Sequence, residues 1–285
     1  MIYYVIDAFT NKKFGGNPAG VVIHESADEQ FMQAFAAEVR FSETAFIKRI
    51  DSKTFEIRFF TPNTEVDLCG HATIAAFKAL LHQQMVQDNT TYYMKTAAGT
   101  LPVEIHQSII TMEQGEPLLG ATIENVDELA ELFHIDPSLI GCDQFNLVPQ
   151  VASTGLWDIM LPIKTKEALF ALNPNFKAIT AYTEKHSVAG IHAFTLDTTE
   201  AIAESRNFCP LYDIDEEAAT GTSTGALTYY LFAKEVIQER NQDLTFLQGN
   251  SMGRPSTIIT KITTDNPPKI RVGGYAVILT KGDIY

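Results

Sequence analysis

Cysteine is scarce in this chain. Cys69, Cys142 and Cys209 are an odd number with no close pair, so neither a disulfide framework nor a Cys-x-x-Cys metal knuckle is expected. Free thiols in a reducing cytosol are the economical reading, and a cytoplasmic location follows from it. The seven histidines form no His-x-x-x-His pattern, so no structural metal site is expected either. Basic residues are few, 21 against 35 acidic, and they form no run; the net charge of −14 repels nucleic acid and anionic membranes as partners. Because salt screens distant charges, that field still admits a small anionic substrate into a cleft with favourable local dipoles. No apolar run of 18 residues exists, so no membrane-spanning helix is expected. Met1–Asp7 lacks a basic n-region and reads as a strand rather than a signal peptide. Low-complexity tracts and charge blocks are absent, so disorder is not expected.

What remains is ordinary globular material. Apolar residues make up 45% of 285 positions, which suffices for one large domain or two of about 140 residues. The chain says one thing twice. Arg58-Phe59-Phe60-Thr61-Pro62 and Arg206-Asn207-Phe208-Cys209-Pro210 share an Arg-x-Phe-x-Pro frame. Seven residues after the first proline stands Cys69-Gly70-His71-Ala72-Thr73; ten after the second stands Thr220-Gly221-Thr222-Ser223-Thr224. Each runs into an apolar helical stretch. The period is too long for a solenoid. It reads as two halves of similar design, each presenting a glycine turn at a helix N-terminus, the two facing across a cleft that holds an anion.

Short β-rich runs are expected at Tyr3–Ile6, Val21–Ile23, Ala45–Lys48, Phe55–Phe60, Tyr92–Thr96, Leu101–Ile105 and Ile109–Met112. Ser26-Ala27-Asp28-Glu29 fits a capping box before a helix at Gln30–Val39. A second helix, Thr73–His82, is apolar on nearly every side and so belongs inside a layer of strands. The second half repeats the recipe, with strands at Leu147–Ala152, Trp157–Leu161, Ile191–Leu196, Leu244–Gln248, Ile258–Lys261 and Ala276–Leu279. Its buried helix is Gly225–Val236. Glu116-Pro117-Leu118-Leu119-Gly120 reads as the linker, followed by a polar helix near Asp127–Phe133. Two domains, 1–120 and 121–285, are expected, with a last strand that can return to the first.

These segments resemble the phenazine-biosynthesis PhzF-like family, relatives of diaminopimelate epimerase and proline racemase. The matching stretches are Asp7-Ala8-Phe9-Thr10 with Phe14-Gly15-Gly16-Asn17-Pro18-Ala19, Ser42-Glu43-Thr44-Ala45-Phe46, and the two Arg-x-Phe-x-Pro frames with their glycine turns. They continue through Glu216-Glu217-Ala218-Ala219-Thr220-Gly221-Thr222 and Gln248-Gly249…Met252-Gly253-Arg254-Pro255. The resemblance covers the whole chain in order. It implies an α+β fold of two similar domains, each a mostly antiparallel strand barrel around a central helix, with the active site between them. It also implies a cofactor-free isomerase, often a homodimer. The family's usual Glu-Asp-Pro-Ala-Thr-Gly-Ser differs here: the assisting acid is one methylene longer as Glu217, a proline is missing, and Thr222 keeps the hydroxyl of the usual serine.

Read as residues, Gly70 and Gly221 let backbone N–H groups approach a ligand, and two such turns suit a carboxylate. Glu43 sits amid apolar and small neighbours, a setting that suits a group accepting and returning a proton, although an exposed acid at a strand start is the commoner fate. The resemblance assigns it the proton-shuttling role. His71, opening a buried helix, is alone no more than a cap or core filler; the resemblance makes it a second proton-handling group and Glu217 its counterpart. Spacing leaves Glu216 and Glu217 open, and the family match favours Glu217. Asn17-Pro18 is a turn that lines the cleft. Cys69 holds the place of one thiol of the two-base racemases, but the other place is Thr220, whose hydroxyl is too weak an acid. The expected function is therefore a proton shift within a small unsaturated or amino-substituted carboxylic acid. Racemisation or epimerisation of an amino or hydroxy acid ranks second, and a non-catalytic carboxylate-binding protein third.

Overall fold

The β-branched and aromatic run Ile2–Ile6 opens a strand, Ile2–Ala8, buried along most of its length. It pairs antiparallel with Asn17–Ile23 on one side and with Ala276–Asp283 on the other. The computed structural model describes residues 1–285, which divide into two compact units. The first comprises Met1–Glu113 and Gly273–Tyr285, the second Gln114–Val272.

In the first unit Asn17–Ile23 lies parallel to Thr44–Arg49, and Thr44–Arg49 antiparallel to Thr54–Phe60. Thr54–Phe60 carries the short strand Glu65–Val66 antiparallel and Thr90–Thr96 parallel. Thr90–Thr96 then pairs antiparallel with Gly99–His106, and that strand with Ile109–Glu113. The second unit repeats this order of pairings. Gln150–Ser153 is antiparallel to Trp157–Pro162, which is parallel to Gly190–Thr195, itself antiparallel to Ala203–Cys209. Ala203–Cys209 carries the short Ile214–Glu217 antiparallel and Leu244–Gln248 parallel, and Leu244–Gln248 is antiparallel to Ser256–Ile262. The repeat read from two motifs is thus a repeat of whole sheet topology.

Parallel neighbours need a crossover, and helices supply it. Helix α1 (Glu29–Val39) spans the first crossover of the first unit, and α2 (Gly70–His82) the second. In α2, His71 to Phe77, Ala79 and Leu80 are all buried, and five strands of the unit contact the helix. A helix without a polar face must be enclosed on all sides, and the curved sheet encloses it. Phe77, fully buried, contributes roughly 1.5–3 kcal/mol by that enclosure. The second unit has α3 (Val126–Phe133) ahead of its first crossover, α4 (Lys166–Ala171) and α5 (Phe176–His186) within it, and the enclosed α6 (Gly221–Ala233) in the second. Leu129, Phe133, Leu169 and Ile179 of α3 to α5 form one apolar cluster with Ile159, Ile191 and Phe208 of the sheet. No helix is long and apolar enough to cross a membrane.

Several expectations need correction. The cap of α1 is Asp28, whose carboxylate accepts from the Phe31 N–H, rather than Ser26. Both enclosed helices begin at the glycine itself, at Gly70 and Gly221, and not at Thr73 and Gly225. Glu116–Gly120 is not a free linker: Leu118–Thr122 pairs with Gln150–Ser153 within the second unit. Helices α4 and α5 and the strand Ala203–Cys209 carried too weak a periodicity to be expected.

Candidate active site

The doubled Arg-x-Phe-x-Pro frame is a clamp. In the first copy Arg58 donates through Nε and Nη2 to both oxygens of Glu65, at 2.7 and 2.6 Å, with its guanidinium 5.1 Å from the Phe60 ring centre. In the second Arg206 grips Glu216 the same way, both bonds at 2.8 Å, and lies 4.9 Å from the Phe208 ring centre. Planar guanidinium and carboxylate meet as a two-pronged pair, so the arginine ties the strand to the segment leading to the glycine turn. The pair also engages Glu216 in a structural bond and leaves Glu217 as the acid with a different environment.

Each clamp precedes a helix start of the same geometry. Cys69 and Thr220 are extended N-caps, and neither side chain caps its helix. Thr73 and Thr224, each three residues past the glycine, return their hydroxyls to the carbonyls of Cys69 and Thr220 at 2.7 and 2.8 Å. The uncapped first turn directs N–H groups and the positive end of the helix dipole outward, which suits a carboxylate. A methyl group added at Gly70 would meet nothing within 4 Å, so packing does not demand glycine there.

In the first unit the structure brings Glu43, Cys69, Gly70 and His71 together. His71 is buried, its Nε2 stands 3.3 Å from Glu43 Oε2 and 3.4 Å from Ser42 Oγ, and its Nδ1 lies 3.5 Å from Cys69 Sγ. Glu43 Oε2 is itself buried and makes no hydrogen bond, the approach to His71 being an electrostatic contact. Glu43 immediately precedes the strand Thr44–Arg49, and its carbonyl accepts from the Gly20 N–H. Asn17, buried, opens the parallel neighbour of that strand three residues before Gly20. The tight turn ahead of it is fixed by Gly16, at φ +63°, where a side chain would run into the Ala8 carbonyl.

In the second unit Glu217 accepts a hydrogen bond from the Thr220 hydroxyl at 2.5 Å. Thr222, partly exposed, is held through its carbonyl by Thr154 Oγ1 at 2.9 Å. Two residues that motif reading had not singled out organise this turn. Gln248, fully buried, accepts from the Thr220 N–H and donates to the Glu217 carbonyl and the Thr220 hydroxyl. Its neighbour Gly249, at φ +78°, lies where a side chain would strike the Arg254 and Ala218 carbonyls. The Gln-Gly pair was visible as part of the family match, but its task was not. Asp158, fully buried, accepts from Ser223 Oγ in the first turn of α6 at 2.6 Å. Burial raises its carboxyl to about 6; the Ser223 hydroxyl opposes that, and the charge of Glu217 adds to it. An acid inside the apolar run Trp157–Leu161 was the available signal.

Cys209 is no base: burial first, then the charges of Asp158 and Glu217, push its thiol well up. With Thr220 bonded to Glu217, the second unit presents no thiolate counterpart to Cys69.

A family model described as phenazine biosynthesis-like protein matches residues 6–282. The chain is 33% identical to the uncharacterised isomerase YddE of Salmonella typhimurium, over 97% of this chain and 95% of that protein. It is 30% identical to the trans-2,3-dihydro-3-hydroxyanthranilate isomerase of Pseudomonas chlororaphis, over 99% and 98%. The crystal structure of a PhzF-family phenazine biosynthesis protein from Bacillus anthracis matches with a TM-score of 0.91 at 26% identity, covering 100% of this chain and 99% of that one.

Proposed function

Since the chain belongs to the phenazine biosynthesis-like family, whose curated relatives here are named isomerases, we propose that it shifts a proton within a small unsaturated or amino-substituted carboxylic acid. The observation that carries this reading is the Glu43–His71 pair at 3.3 Å beside the uncapped N-terminus of α2. Glu43 takes a proton from one carbon of the substrate and returns it to another on the same face, so no electrons leave the molecule and the proton count is unchanged. His71 orients the carboxylate and balances charge as the proton moves. Each unit offers a turn suited to a carboxylate, the N–H groups behind Gly70 in the first and those behind Gly221 with the Thr222 hydroxyl in the second, and Glu217 assists as a second acid–base group. The substrate of the Pseudomonas relative, a hydroxylated dihydroaromatic amino acid, is the first compound to try.

Two-base racemisation finds no support in the second unit, where a hydroxyl stands in place of a thiol. The test is Glu43→Gln, which keeps the shape and removes the base. With trans-2,3-dihydro-3-hydroxyanthranilate and a panel of related acids, turnover and deuterium uptake from heavy water are expected to fall by ~10²–10⁴-fold. A loss of only a few-fold would remove Glu43 from the role. No conversion of any acid, with carboxylates stabilising parent and variant equally, would leave a binding protein instead.

A further inference from the structure

Three donors of different chemistry converge in the first unit. One ligand atom each from Glu43, Cys69 and His71 lies within 4.8 Å of the other two. In sequence they are a Cys-x-His with an acid 26 positions before the cysteine, which matches no metal-binding spacing; only the fold assembles them. We propose that this cluster is a binding site for a borderline divalent cation of the zinc type, and that occupancy switches the enzyme off. The site itself does not depend on which acid the enzyme turns over; only the switching-off rests on the proton-shift reading.

The donor set selects the ion. Thiolate, imidazole and carboxylate together are zinc ligands, whereas magnesium and calcium require oxygen alone. Two anionic donors cancel the charge of a divalent ion, so its burial leaves no net charge behind. Cys69 is the N-cap of α2, where the helix dipole favours an anionic sulfur. Metal binding would release the thiol proton, so affinity rises with pH.

The spacing is nearly right. Around tetrahedral zinc with bonds of about 2.0–2.3 Å, neighbouring donors stand roughly 3.3–3.8 Å apart. Sγ to Nδ1 at 3.5 Å and Nε2 to Oε2 at 3.3 Å already match. An imidazole offers one nitrogen to an ion, so the third donor must close by about 1 Å, which a side-chain rotation supplies. Gly70 leaves open space beside the cluster, and Ser42 Oγ at 3.4 Å from Nε2 is close enough to back the site, so a fourth ligand or water has room. The consequence for turnover is direct: the ion takes the lone pairs of Glu43 that would receive the substrate proton.

The experiment uses the full chain, stripped with a chelator and kept reduced. Zinc is titrated by calorimetry and cobalt by absorption, since a cobalt–thiolate bond gives a near-ultraviolet charge-transfer band. The expected result is one ion per chain, the band present, and deuterium exchange abolished by zinc and restored by chelator. Cys69→Ser should remove the band, while Cys142→Ser keeps it. Glu43→Gln, an isosteric change that safeguards the test if the cysteine variant fails to fold, should weaken zinc by more than about tenfold, the upper range of losses from outer partners being larger still. Cobalt binding without a thiolate band, or equal zinc affinity in the parent, Cys69→Ser and Glu43→Gln, overturns the proposal. Because calorimetry and cobalt absorption need no substrate, the metal site can stand or fall apart from the isomerase reading.

Discussion

Asp158 offers a test in which burial, charge and the α6 turn meet. Its carboxyl is fully buried and raised from 3.8 to about 6, chiefly by burial. In the unfolded chain it returns to the ordinary value. At 1.36 kcal/mol per pH unit, that difference amounts to about 3 kcal/mol. The sign follows from which state holds the proton. Between pH 4 and 6 the folded chain keeps the proton on Asp158 while the unfolded chain has released it, so raising the pH favours unfolding. The stabilisation is complete well below about pH 4 and gone above about pH 6. Asp158→Asn cannot titrate, and its amide retains an oxygen for the Ser223 hydroxyl. Urea unfolding of parent and variant at pH 4 and at pH 7.5 gives two differences in stability, and any constant packing cost of the amide cancels between them. Because about half a kcal/mol is already lost by pH 4, the variant should gain on the parent by roughly 2.5 kcal/mol from the lower to the higher pH. A gap that is the same at both values, within about 0.5 kcal/mol, would show that Asp158 keeps an ordinary carboxyl and refute the reasoning.

The two clamps should differ in cost although they share a motif. Arg206→Met leaves Glu216, 14% exposed, with only the Ser251 hydroxyl as partner and should cost about 2–4 kcal/mol in chemical denaturation, whereas Arg58→Met, whose partners Glu29 and Glu65 are 72% and 32% exposed, should cost less than about 1 kcal/mol. Gly70→Ala meets open space and should leave melting unchanged or raise stability by up to ~1 kcal/mol, yet slow turnover by crowding the carboxylate; a loss of stability would make Gly70 a structural glycine. Gly249→Ala, forced against two carbonyls at positive φ, should cost at least about 1–3 kcal/mol in thermal melts.

The enclosed helices were legible because an apolar stretch without a polar face admits one kind of environment, and most strands because alternation is local. The clamp partners were not legible from the repeat. Glu65 lies seven residues after Arg58 and Glu216 ten after Arg206, so the two copies do not align at the acid that matters. The structure gives the two acids different partners: Arg206 grips Glu216 at both oxygens, and Glu217 accepts from the Thr220 hydroxyl. Glu116–Gly120 carries a proline and a glycine in five residues, the usual mark of a connection. The strand begins just after the proline and, being short and mostly exposed, tolerates the glycine, and the pairing to Gln150–Ser153 is decided by that partner rather than by composition. Spacing could not show the convergence of Glu43 with Cys69 and His71, and only the resemblance had paired Glu43 with His71: it depends on how a parallel pair, Asn17–Ile23 and Thr44–Arg49, is laid against the start of α2.

The order in which a ribosome delivers this chain gives the last strand an unexpected weight. Ile2–Ala8 is made long before one of its two partners, Ala276–Asp283. The whole of Gln114–Val272 is complete in between and has its own core to fold around. During synthesis the first unit therefore waits with one flank of an apolar strand unpaired, its amides and carbonyls open to any passing strand. Removing Ala276–Tyr285, and with it the whole strand, would prolong that exposure indefinitely. Such a truncation should be found in the insoluble fraction rather than as soluble, inactive protein, even though Ala276–Asp283 lies far in sequence from Glu43 and His71.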